Sequence, residues 1–225
     1  MRKSVIVLAA ILIAAAAQAG VISDLQQGLY TEGDPVQVIG ATVMGVTGNG
    51  AFITELPSGP YSGVWVYLGS GHTVLAGDIV DVQGVYEEYY DLTEINAGDG
   101  VYQVTGNGPL PTPYSLTAAE FAADTEAFEG VAICITDGFM VSEIRSYGEW
   151  VAHAIESDVD VVFDDFWFEA PTEDLLGACF DYACGCLTYS FGEYKLEAFA
   201  DGITYVDCTV PTESSSLSEI KALFD

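Results

Sequence analysis

The chain has 225 residues and carries 34 Asp and Glu against 5 Lys and Arg, a formal net charge of −29 at pH 7. That leaves almost no cations for the phosphate contacts that drive nucleic-acid binding. It repels anionic lipid and would draw multivalent cations. An acid-rich, Lys-poor surface also suits salty surroundings, where screening hides the repulsion, and the sequence leaves both origins of the acidity open.

Residues 1–19 read as a signal peptide: Arg2 and Lys3, an apolar run, then Ala17-Gln18-Ala19 in the small-x-small pattern of a cleavage site. A membrane span is the rival reading, but the apolar run is short for one. The mature chain is therefore expected outside the cytoplasm. It holds all 34 acids and only Arg145, Lys195 and Lys221 as bases, so 3 − 34 = −31.

The first domain is expected over 20–108. Its strands are expected at 35–46, 50–56, 63–68, 78–86 and 91–95, with Asn49-Gly50 in the first hairpin. "GNGPLPTPYS" (106–115) reads as a linker. The second domain, 109–208, opens with "SLTAAEFAADTEAFEG", the one expected internal helix, where Thr117 and Glu120 have capping-box spacing. Strands then follow at 130–142, 148–155, 159–168, 178–187 and 193–199. The second five match the first five in order and punctuation, most visibly where "GVYEEYYDLTEI" (84–95) is answered by "GCLTYSFGEYKLEA" (185–198). The chain reads as one module built twice. Residues 209–225 read as a flexible tail with a short terminal helix behind Ser216-Leu217-Ser218-Glu219, either a frayed end or a docking peptide.

Five short strands per unit of about 90 residues fit a small Greek-key barrel of the OB type. The fold class expected is all-β, two tandem five-stranded OB-like barrels with one short connecting helix. "VQVIGATVMGVTGNGAFITE", "GVWVYLG" and "VLAGDIVDVQGVYEEYYDLTEI" resemble the tandem OB-fold modules of secreted bacterial proteins that often accompany extracellular nucleases and phosphoesterases. In the second unit Ser146-Tyr147-Gly148-Glu149-Trp150 and Tyr189–Glu197 carry the likeness. The resemblance spans residues 21–207 and implies the fold and a nucleic-acid ligand. Two departures stand against that ligand's transfer. Gly77-Asp78 becomes Gly177-Ala178, and neither unit has the basic residues that a nucleic-acid face sets beside its aromatics.

Cys134, Cys179, Cys184, Cys186 and Cys208 all fall in the second half. Export favours disulfides, at most two within one chain, over zinc, which would want two separated ligand pairs. Their pairing stays open. His72 and His153 have no recognisable nucleophile beside them, so no catalytic triad is read, and His153 is better read as a strand residue with a hydrogen-bond partner. Asp158, Asp160, Asp164, Asp165 and Glu169 invite calcium, but the segment lacks the glycine turn of a calcium loop and reads as a solvated face. No enzyme, cofactor or metal is expected.

Aromatics carry the ligand expectation. Trp65 and Tyr67 alternate with Val64 and Val66, so they stand outside the barrel if the valines fill it. Phe52, Tyr86, Tyr89 and Tyr90 would extend that platform, with Trp150, Phe166 and Trp167 as second-unit analogues. The competing reading is that these rings seal one barrel against the other. The function expected is non-catalytic binding or assembly, with a protein or carbohydrate partner. Nucleic acid is the alternative, and a cation-shielded surface or matrix component a third.

Overall fold

The computed structural model describes residues 20–208. The expected signal peptide and the tail from 209 onward lie outside the described residues. The chain forms two sheets in sequence. The first is a closed barrel of β1 (Pro35–Val46), β2 (Gly50–Thr54), β3 (Gly63–Tyr67), β4 (Asp78–Tyr89) and β5 (Leu92–Asn107), in the order β1-β2-β3-β5-β4. β3 and β5 are parallel and the other neighbours antiparallel, the connectivity of an OB-type barrel.

The second sheet repeats the plan. Its first strand is split into β7 (Ala132–Ile135) and β8 (Phe139–Ile144), followed by β9 (Trp150–Ala154), β10 (Val159–Asp164), β12 (Ala183–Ser190) and β13 (Glu193–Ala198). β10 pairs with β13 in parallel, as β3 does with β5, while β7 pairs with β12 and β8 with β9. Short strands β6 (Tyr114–Leu116), β11 (Cys179–Phe180) and β14 (Tyr205–Val206) extend the edges. The protein is all-β, two OB-like barrels in tandem.

Alternation places the cores. Val64 and Val66 fill barrel one with Val38, Val43, Ile53 and Ile95. Barrel two is filled by rings: Trp150 stacks on Phe163 with centroids 4.1 Å apart, and Phe139 stacks on Phe180 at 5.0 Å. Trp150 is fully buried inside this core. It is therefore no surface analogue of the barrel-one aromatics, because β9 turns Trp150, Ala152 and Ala154 inward, whereas β2 turns Ala51 and Ile53 inward and Phe52 out.

The matched hairpins have the same construction. Tyr90-Asp91 and Phe191-Gly192 both sit at positive φ, giving two-residue turns with both central residues left-handed. Gly84 and Gly185 open the hairpins at corresponding positions, and a Cβ at either would overlap a carbonyl oxygen, of Asn96 or of Glu197. The turn that loses its Asp survives on its backbone: Gly77 donates to Val43 at 2.9 Å and Gly177 to Val141 at 2.8 Å.

Three local expectations change. β5 runs on to Asn107, taking up Gly98-Asp99-Gly100 as a bulge opposite Gly84, so of the expected linker only residues 108–113 lie outside strands. The helix expected across 115–130 is only α2 (Ala118–Ala123); its capping box between Thr117 and Glu120 is present, but Asp124 leaves helical geometry and a 3₁₀ turn follows at Glu126–Phe128. An additional helix, α1 (Val21–Gln26), covers the end of barrel one. The Glu55 carboxylate accepts from the amides of Val21 and Ile22 at 3.1 and 3.2 Å, and Ile22 and Leu25 are buried.

Disulfides join Cys134 to Cys184, directly opposed on β7 and β12, and Cys179 to Cys208; Cys186 is a buried free thiol.

Candidate ligand site between the barrels

The barrels are joined by a third cluster of apolar side chains: Met44, Phe52, Trp65, Leu92, Ala132 and Cys186, with Trp167, Tyr189 and Phe199 packed on it. Trp167 spans the junction. Its ring stacks on Phe199 at 5.5 Å and meets Phe52 edge-on at 5.9 Å, while Nε1 donates to the Val46 carbonyl at 2.8 Å. Gln26 Nε2 donates to the carbonyls of Gly63 (2.8 Å) and Glu129 (3.2 Å), tying α1 and both barrels to one amide.

Beyond this seam the two repeat-related hairpins face each other across a cleft of about 1000 Å³. Barrel one contributes Trp65, Tyr67, Glu87, Tyr89, Tyr90 and Glu94; barrel two contributes Asp164, Phe166, Tyr189, Phe191 and Glu197. Aromatic rings stand at the lips. Tyr90 is 78% exposed and Phe191 96% exposed, far more than rings that pack for stability. Carboxylates lie deeper.

The sequence-derived candidates therefore divide. Trp65, Tyr67 and Tyr89 line the cleft. Phe52 is fully buried beneath Trp65, with ring centroids 4.8 Å apart, so it supports the site and presents no free face. Trp167 seals the barrels together. Tyr86 turns into the core of barrel one, in phase with Val80 and Val82 on β4, and bonds Glu88 through its hydroxyl. Tyr86 and Trp150 are thus not ligand-facing, Phe52 reaches the cleft only as its fully buried floor, and the sealing reading holds for Phe52 and Trp167.

The deeper carboxylates were not singled out in the sequence. Glu87 and Glu94 are directly opposed on β4 and β5, a like-charged cross-strand pair that costs stability when left alone. Glu94 is only 5% exposed. Burial first, and Glu87 second, push its carboxyl up to about 7. Glu197 is 1% exposed; burial pushes it up to about 8, with Asp164 adding to the effect, although the Phe166 amide donates to one of its oxygens at 3.3 Å. Its Oε1 is buried with no partner.

Across the repeat, the residue at the place of Glu94 is Lys195: each is the third residue after its two-residue turn. Lys195 is buried, bonded to Glu149 and 3.4 Å from Asp164, and its Nζ lies 5.2 Å from the Phe191 ring centroid. That hairpin comparison was available in the sequence and would have drawn attention to Glu94.

Neither histidine lines the cleft. His72 Nε2 lies 3.0 Å from the Thr47 carbonyl, and His153 Nδ1 lies 2.9 Å from Asp160. Among the described residues no three His, Cys, Asp or Glu side chains gather as a metal site, and no helix is long and apolar enough to cross a membrane.

No family model and no curated protein matches the chain. Among solved structures, the Ifi202 HINa domain in complex with a 20-bp dsDNA is 13% identical with a TM-score of 0.33, covering 79% of this chain and 98% of that one. A HIN1 domain in complex with a 12-mer dsDNA is 12% identical at 0.33, covering 81% and 99%. A HINb domain is 10% identical at 0.31, covering 78% and 98%. Values this low assign no ligand to this chain.

Proposed function

We propose that the protein is an extracytoplasmic, non-catalytic binding module that takes a protein or carbohydrate ligand in the cleft between its two barrels. One observation carries this: two hairpins of the same construction face each other with Tyr89, Tyr90 and Phe191 exposed at the lips above partly buried carboxylates. Exposed rings on a rigid support give stacking area at small entropic cost, and polar groups beneath them fix orientation. Two disulfides suit an oxidising compartment. The sequence likeness to secreted bacterial OB-fold modules agrees with a binding role.

Nucleic acid is the second reading, favoured by Trp65 and Tyr67 on the outer face of β3, where OB barrels commonly stack bases. Electrostatics weigh against it. The two basic side chains among the described residues, Arg145 and Lys195, are both held in ion pairs with carboxylates.

Probing glycan and peptide arrays with the full chain and a Tyr90→Ala/Phe191→Ala variant tests the site. Ligands bound by the parent are expected to lose about tenfold or more in the variant, the scale of two lost stacking contacts; ligands retained equally would move the site elsewhere. An oligothymidine at low salt, where phosphate attraction is strongest, is expected not to bind. Sub-micromolar affinity that weakens with salt would put nucleic acid first.

A further inference from the structure

Barrel two carries its own cation. Lys195 projects from the outer face of β13, is buried, and neutralises Glu149 and Asp164. At the same place on the matching strand barrel one has Glu94, and the residue opposite is Glu87. Nothing among the described residues answers that pair: Asn96 Nδ2 donates to Glu87 at 3.1 Å, while Glu94 has neither a cation nor a hydrogen-bond donor against it. Across the cleft, Glu197 Oε1 is likewise buried and unpartnered. A folded protein rarely keeps nine-tenths-buried carboxylates facing open space without a counter-charge, because desolvating an uncompensated anion is expensive.

The rings stand where they would serve the same guest. Trp65 pairs with Glu94 in register across β3 and β5, Tyr67 is two residues on, and Tyr89 and Tyr90 stand at the hairpin end. A guanidinium stacks on such faces while donating to a carboxylate below. A metal ion would want several oxygens converging, and no such group gathers among the described residues.

We infer that the cleft takes an organic cation, namely an arginine or lysine side chain presented by an exposed segment of a basic partner protein, with Glu94 and Glu87 as its counter-charge and Tyr67 and Tyr90 as its stacking faces. The inference rests on the cleft being the ligand site, and it narrows the ligand to one charge. The net charge of −29 would bring such a partner in from a distance.

The probe is a short acetylated, amidated arginine–glycine peptide, with its citrulline counterpart as the uncharged isostere. Affinity is read by calorimetry on the full chain. Glu94→Gln is compared with Glu173→Gln, which makes the same change in net charge at an exposed position away from the cleft. The arginine peptide is expected to bind about tenfold or more tightly than the citrulline peptide, and about tenfold less tightly to E94Q, while E173Q stays within about twofold of the parent. No binding of the arginine peptide, equal binding of the two peptides, or equal loss in both variants would overturn the inference. If the citrulline peptide or a neutral glycan binds and is lost in the Tyr90→Ala/Phe191→Ala variant, the cationic assignment fails while the cleft keeps its role. If that variant changes no binding, the cleft itself is the wrong site.

Discussion

The Thr93 amide on β5 donates to Glu129 Oε1 at 2.8 Å, so a strand of barrel one is fastened to the turn that leads into barrel two. The other oxygen of Glu129 is buried without a partner, and burial pushes this carboxyl up to about 8, Thr93's amide opposing the shift. Glu197, also pushed up to about 8, behaves the same way. Because both carboxyls hold their protons more tightly folded than unfolded, stability falls as pH rises above about 4.5 and levels off past about 8. Thermal melts from pH 5 to 8.5 should show a declining midpoint. Glu129→Gln, which keeps an acceptor for Thr93 and cannot ionise, should flatten the decline and raise the pH 8 midpoint by about 4 °C.

Affinity in the cleft should move the opposite way with pH. Glu94 holds its proton up to about 7, and a cationic guest is attracted only to its ionised form. Its neighbours are Glu87 on β4, Trp65 and Tyr67 on β3, and Asp164 and Glu197 across the cleft, where Lys195 is already engaged. Binding of the arginine peptide should tighten from pH 6 to 8, and E94Q should lose most of that slope. Calorimetric titrations at three pH values decide it; a flat profile in the parent would count against Glu94 as the counter-charge.

Lys195→Met removes a buried cation from beside Glu149 and Asp164. Taking one partner from a buried ion cluster leaves the others uncompensated, at a cost of about 3–5 kcal/mol. Urea unfolding should show a lower midpoint with an unchanged slope.

Cys186 is buried, and burial pushes its thiol well above the ordinary cysteine value, with Glu197 adding to the effect. A thiol that is neither exposed nor ionised reacts slowly. Alkylation of the native protein without reductant should label nothing, and one equivalent should react after denaturation. Native labelling at Cys186 would show that the seam between the barrels opens.

Much of this architecture could be read from the sequence, and the reasons are local. Glycines, strand alternation and two-residue turns are nearest-neighbour signals, so the barrels, the repeat and the paired hairpins were visible. Val64 and Val66 showed which way β3 faces, and Trp65 and Tyr67 followed correctly. α1 was not legible, since six residues span too little periodicity and its cap, Glu55, lies far along the chain. Trp150 misled because the two barrels start their second strands in opposite phase, and a shift of one residue exchanges inside for outside. Phe52 obeyed the alternation and Trp167 sits in the bend after β10, but what covers both is another domain, which a strand pattern cannot indicate. Glu94 was hidden among 34 acids until its position opposite Glu87 and in place of Lys195 set it apart.

Gly63 and Gly130 touch backbone to backbone where the barrels meet; a Cβ on either would overlap the other. Gly63 begins β3 and Tyr67, at the cleft, ends it, a span of about 13 Å at ~3.3 Å per strand residue. Those two missing methyl groups therefore act as a gauge block, setting the spacing between the facing hairpins. A single Gly63→Ala exchange would wedge the seam and alter the aperture at its far end, changing which guests fit while leaving every side chain that touches them in place.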